Sequence, residues 1–149
     1  MQLNLDPVMS FLGSVRAIAL RLSPGQDLLR SIEGAAEARG IRTAFLMGIG
    51  GLRVGRLGVF DGKGYTPKEI RPRGEGAVEI ASLLGNITVK DGRPFAHVHA
   101  VLSNGVEVLA GHLLEGSEVW PTAEIVFLAT QGEIGRVRDP ELGYFRWDI

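Results

Sequence analysis

From Ile41 to Thr130 the chain mostly alternates with a period of two, and glycine recurs inside the apolar runs. This pattern limits the fold more than any other feature, because successive side chains of a strand face opposite sides of a sheet. IRTAFLMGIGG and LRVGRLGVF read as two glycine-rich strands, closed by the turn signal DGKG. Glycine within a strand marks a bulge or a close backbone approach, so Gly48, Gly50, Gly51 and Gly55 predict a curved, tightly packed sheet. After an irregular RPRGEG loop, AVEIASLLGNITV, PFAHVHAVL and VEVLAGHLL form a meander through turns at Asp91-Gly92 and Asn104-Gly105. TAEIVFLAT, after Pro121, supplies a last strand.

Ahead of this region, SVRAIALRL has strand periodicity, and SPGQDLLRSIEGAAEARG opens a helix. Ser23 is its expected cap, with Pro24 at the first helical position and Gln26 completing a capping box. Leu28, Leu29, Ile32, Ala35 and Ala36 recur at helical spacing, and Gly40 supplies a left-handed stop. The expected class is α/β (α+β): a mainly antiparallel curved sheet with one or two packed helices. One domain over 1–149 is expected, with a core of about 14–129 and a tail of 130–149. Tyr144, Phe145 and Trp147 in that tail should dock on the domain or on a neighbouring subunit. The apolar surplus of strands and tail predicts association between copies.

With no cysteine among 149 residues, disulfides and thiolate metal sites are excluded. MQLNLDPVMSFLGSV lacks the basic start and apolar run of a signal peptide, and no stretch of about 18 apolar residues could span a membrane. A cytoplasmic protein without a membrane partner is expected. Sixteen basic against 17 acidic residues give a net charge of −1, which lends little support to autonomous nucleic-acid binding. Arg71 and Arg73 in the RPRGEG loop form the one denser basic patch. GIGGLR lies between strands and has no helix to offer a phosphate.

All three histidines of the chain, His97, His99 and His112, fall within AHVHAVLSNGVEVLAGH. A two-residue Asn104-Gly105 turn would pair Ser103 with Val106, His99 with Ala110 and His97 with His112. Residues two apart share a face, so all three imidazoles project from one side. Opposed Cβ atoms lie about 4.5–5.5 Å apart, close enough for ring nitrogens to converge on an ion held at about 2.0–2.1 Å. Zinc is the default for such a tripod, and nickel, copper or iron also suit imidazole. Three protein ligands leave a position open, which is the catalytic rather than the structural pattern. A two-residue Asp91-Gly92 turn would set Asn86 opposite His97, where it could hydrogen-bond a ring N–H or a metal-bound water. Glu115 and Glu124 are nearby in sequence and are weak candidates for a general base or an outer acceptor.

The run VEIASLLGNITVKDGRPFAHVHAVLSNGVEVLAGHLLEGSEVWPTAEIV resembles the PPC domain, conserved in plants and prokaryotes. RAIALRLSPGQDLLRSIEGAAEARGIRTAFLMGIGGL fits the strand–helix–strand opening of that family. The resemblance implies an α/β fold, a homotrimer, and zinc held by His97, His99 and His112. It also implies a DNA-associated or regulatory role, with DNA or protein as a partner, because plant members join the domain to AT-hooks. Here Gly92-Arg93-Pro94 sits between Asp91 and Phe95, a hairpin turn rather than a hook. The fold is also similar to that of acetolactate decarboxylases, which hold zinc with a comparable histidine set. This second likeness implies a zinc-dependent lyase or hydrolase acting on a small carbonyl compound at the metal.

Overall fold

The computed structural model describes residues 12–149; the reading of the first residues as something other than a leader falls largely outside them. The element order is β1 (Val15–Leu22), α1 (Leu28–Ala38), β2 (Ala44–Phe60), β3 (Tyr65–Ile70), β4 (Val78–Lys90), β5 (Arg93–Ser103), β6 (Val108–Leu113), β7 (Glu118–Thr130), β8 (Gly135–Arg138) and β9 (Phe145–Asp148). Strand pairing is antiparallel throughout, except for one parallel contact between β4 and β8. Among the described residues, α1 is the one helix. No helix there is long and apolar enough to cross a membrane.

The two glycine-rich segments are one strand, β2, 17 residues long. Its first half runs between β4 and β7, and its second half is flanked by β3 and β6. Because β6 pairs with β5 and β5 with β4, the pairings β2–β6–β5–β4–β2 close a ring. The strand bends by slipping register at Gly48/Gly50 against β4, the place where bulges change a sheet's direction. β3, YTPKEI, lacks a strand signal in the sequence because only Ile70 is buried and Pro67 interrupts it. Long-range pairing to β2 orders it, and Pro67 is tolerated because β3 has β2 as its one partner in the sheet.

The helix starts later than its sequence suggests. Asp27, not Ser23, is the N-cap: its Oδ1 accepts from the Arg30 N–H at 3.0 Å. Ser23 and Gln26 instead close a turn ahead of the helix, with the Ser23 N–H donating to Gln26 Oε1. Leu28, Ile32 and Ala36 make the buried stripe of α1, which packs with Leu46, Val98, Ala100, Ile125 and Phe127 on the inner face of the sheet. Gly40 follows the helix with a φ of +62°, as its position implied.

Opposite residues of paired strands share a face, so the side away from α1 can be traced across strands. It carries Phe45, Met47 and Ile49 of β2, Leu84 of β4 and Val126 of β7, all solvent-exposed. The tail folds back on its own chain. β8 meets β4 where Val89 N–H donates to the Ile134 carbonyl, and Lys90 Nζ lies 3.8 Å from the Phe145 ring centroid.

Candidate metal centre

His97 and His99 lie on β5 and His112 on β6, all on the face opposite α1. The hairpin that brings them together differs from the expected one. Ser103 pairs with Val108, so the connection is the four-residue loop 104–107 rather than a two-residue turn. A two-residue type I′ turn needs positive φ at both central residues. Asp91 (φ 50°) and Gly92 (φ 78°) meet that demand, and Lys90 does pair with Arg93. At the other turn Gly105 has positive φ and Asn104 does not. The Asn104 side chain explains the difference. Its Oδ1 accepts from the N–H groups of Val106 and Glu107 at 3.1 and 2.9 Å, and its Nδ2 donates to the Arg71 carbonyl at 3.0 Å.

The loop therefore pairs His99, not His97, with His112. A slip of two residues keeps every side chain on its face, so the convergence survives the correction. Ring centroids are 5.2 Å apart for His97–His99, 5.0 Å for His97–His112 and 5.6 Å for His99–His112. One nitrogen from each ring can be chosen so that all three lie within 4.8 Å of one another. These residues could hold a metal ion.

The electrostatics suit ligation. Burial, then the Arg136 charge, then His99 hold His97 below the usual imidazole range. Burial, followed by His97, His99 and Arg136, pushes His112 down to about 4. Both rings are thus neutral at pH 7, the state in which imidazole binds a metal. Nδ1 of His112 is buried without a hydrogen-bond partner, and an orphaned ring nitrogen is costly unless something completes it. Three imidazole nitrogens around one point, one ring with an unpartnered atom, match the donor set of a borderline divalent cation.

Two glycines make room for this geometry. A Cβ on Gly111 would fall 2.6 Å from the Gly58 carbonyl oxygen, so β6 can approach β2 only without one. A Cβ on Gly58 would fall 2.8 Å from the Tyr65 Cβ. The Tyr65 ring stacks on His112 at 4.3 Å, forming a wall beside the cluster.

Asn86 pairs with His97 as expected, but its Oδ1 accepts from Arg136 Nη2 at 3.0 Å. Glu115 and Glu124 do not join the cluster of ligand atoms. Glu115 is exposed and bound by Arg30 through Nε at 2.9 Å and Nη2 at 2.6 Å, which ties α1 to the segment after β6. Glu124 lies on β7 beside Arg21 and Ile49, three strand spacings from β5 across β2 and β4. At about 4.8 Å per spacing, that is roughly 14 Å.

Sequence reasoning missed Arg136 and Tyr65. Tyr65 lies at the start of β3, a stretch without a strand signal, and only the pairing with β2 sets it opposite Phe60. Arg136 carried no local signal, because it reaches the site through the contact of β8 with β4.

Comparison with known proteins agrees with this architecture. Over residues 9–131 the chain matches the Plants and Prokaryotes Conserved (PCC, also written PPC) domain. A metal-containing protein of Archaeoglobus fulgidus is 35% identical with a TM-score of 0.84, over 95% of this chain and all of that one. A PPC protein of Pyrococcus horikoshii is 33% identical with a TM-score of 0.83, over 95% and 98% of the two chains. A proposed DNA-binding protein of Ralstonia eutropha is 27% identical with a TM-score of 0.76, over 88% and 90%. Among curated proteins, the bifunctional protein GlmU of a Synechococcus strain is 30% identical over 140 residues. The alignment takes in 92% of this chain but spans 21% of that protein's length. The match over residues 9–131, most of the 149, places the chain in the Plants and Prokaryotes Conserved domain family.

Proposed function

We propose that this protein binds one divalent ion, zinc by preference, through His97, His99 and His112, and acts as a homotrimer in a DNA-associated or regulatory role in the cytoplasm. The observation that carries the metal reading is the convergence of three imidazole nitrogens within 4.8 Å on one sheet face. The similar Archaeoglobus protein is described as metal-containing, which supports the same reading here. The DNA-associated role rests on the family and on the Ralstonia relative. A net charge of −1 argues that any such role works through protein contacts rather than strong duplex binding.

The trimer finds support in the exposed apolar face. Ile49 is 60% and Leu84 59% exposed, and Leu84 pairs directly with His99 on β5. Apolar surface of this kind is usually covered by association. Covering it with a second copy would put the histidines at a subunit boundary.

A second reading, a zinc-dependent lyase or hydrolase for a small carbonyl compound, is favoured by one feature. The cluster offers three ligands and no carboxylate to close the coordination. Elemental analysis of protein purified without added metal tests the shared foundation. Near-stoichiometric metal is expected, with most of it lost in the His97→Ala/His99→Ala variant; retention of more than half would reject the site. A gel shift at two salt concentrations separates the roles. Sequence-selective binding tighter than about 10⁻⁸ M would show a direct DNA reader, whereas no shift would favour protein contacts or enzymatic chemistry.

A further inference from the structure

Arg136, on β8, is partly buried at the edge of the imidazole cluster and points three of its N–H groups at neutral acceptors. Nε donates to Thr88 Oγ1 at 2.7 Å, Nη1 to the Phe145 carbonyl at 2.9 Å and Nη2 to Asn86 Oδ1 at 3.0 Å. A guanidinium carries five N–H donors, so one on each terminal nitrogen has no protein acceptor among the described residues. Nor does any carboxylate there come within ion-pair distance of it. Arg30, Arg42, Arg53, Arg56, Arg71 and Arg146 each have a carboxylate partner. Arg136 is instead held by neutral groups that fix its orientation without neutralising it. A partly desolvated cation left in that state is expensive, and a fixed guanidinium fork is suited to a planar oxyanion.

The position gives the charge a use. Asn86, which Arg136 holds, pairs with His97 across β4 and β5. On the other side, Tyr65 stacks on His112 and forms a small concavity with Phe60 and Tyr144. A cation, a cluster of three imidazoles and an aromatic wall thus meet in one place. A free phosphate would use the cation but not the wall.

We infer that Arg136 and the histidine centre together form a receptor for a small organic carboxylate with an apolar or aromatic remainder. One carboxylate oxygen is taken by the guanidinium, the other faces the open metal position, and the remainder rests against Tyr65. This rests on the metal reading above for its second contact, whereas the Arg136 contact stands without it. β8 lies beyond the segment 9–131 that matches the family model, so Arg136 stands outside that match while the histidines and Tyr65 stand within it.

Isothermal titration of the full chain with mandelate and benzoate tests this, with benzamide as the neutral control and inorganic phosphate as the rival anion. Zinc-loaded and chelated samples are compared, and metal content is measured on each. Binding of both carboxylates and none of benzamide is expected, weakened at least tenfold in Arg136→Gln and less in Arg136→Lys, with zinc stoichiometry unchanged. Thermal melts of both variants establish that they are folded; should Arg136→Gln unfold, the Arg136→Lys and Tyr65→Ala affinities decide, and both should fall. Carboxylate affinity unaffected by these substitutions in folded protein, or binding of phosphate alone, overturns the receptor. Absence of zinc from the wild-type chain would instead overturn the metal reading, and is recognised by the metal analysis whatever the carboxylates do.

Discussion

At the scale of single residues, protons and metal ions compete for the same imidazole nitrogens. An unfolded histidine titrates near 6.5, whereas His112 in the fold is pushed down to about 4. Between these values the unfolded chain binds the additional proton, so stability rises with pH there and falls on acidification. Chelated protein should therefore lose stability progressively from about pH 6.5 to pH 4. The ring is only partly buried, so the share of His112 is about 1 kcal/mol once solvent screening is allowed for. Thermal melts across that range check it: His112→Asn should flatten the dependence, and an unchanged slope would assign the acid sensitivity elsewhere. Gly58 belongs to the same scale. Gly58→Ala would force its new methyl against Tyr65 Cβ and lift the ring from His112. Losing such support for a ligand typically costs 10–100-fold in metal affinity. A competition titration with a chromogenic chelator should show a loss in that range, and wild-type affinity would mean that the stack plays no part.

Among elements, α1 is joined to the segment after the histidine hairpin by Asp27 as well as by Arg30. Asp27 caps the helix through Oδ1 and accepts from the Gly116 N–H through Oδ2 at 2.6 Å. Gly116 lies four residues after His112, in the turn leading to β7. Removing a cap alone costs about 1 kcal/mol, up to about 2. Asp27→Ala should reach the upper end, because a second bond is lost with the cap, while Asp27→Asn should lose less. Urea unfolding measures both; equal losses would mean that charge rather than geometry sets the cap's contribution. A second junction joins β8 to the sheet, where the Ile134 N–H donates to the Thr43 hydroxyl at 2.9 Å and Ile134 itself is buried. The tail is thus part of the folded unit, not an appendage.

For the whole molecule, the proposed trimer turns on the apolar face. Phe45, Met47, Ile49, Leu84 and Val126 are exposed on one side of a sheet whose other side is filled by α1 and the core. Light scattering of dilute protein should give three times the 16.0 kDa chain mass. Met47→Arg combined with Leu84→Arg should reduce it to one chain, because each charge would be buried without a partner. A wild-type monomer at micromolar concentration with metal still bound would reject both the trimer and a site at its boundary. Of the tail aromatics, expected to dock on the domain or on a neighbouring subunit, Tyr144 is exposed. Phe145 and Trp147 are partly covered by their own chain, and the larger exposed apolar surface lies on β1, β2, β4 and β7.

What the residues alone settled is local. The period of two put His97 and His99 on one face, and parity kept His112 with them whichever even slip the hairpin adopted. Asp91-Gly92 enforced its own turn, so the pairing of Asn86 with His97 was legible from the turn residues and the count along each strand. Asn104-Gly105 has the same local signal and a different outcome, because the Asn104 side chain bonds within its loop and to the distant Arg71 carbonyl. The helix periodicity was legible, but its cap was not: Asp27 is preferred over Ser23 because the Leu28 N–H and the Asp27 carboxylate both meet the 116–117 turn. Tertiary structure alone brought Tyr65 over His112 and Arg136 beside Asn86, and chose which apolar face α1 would leave exposed. Those choices depend on contacts between strands far apart in sequence, and a pattern of short period holds no information about which distant strand will answer it.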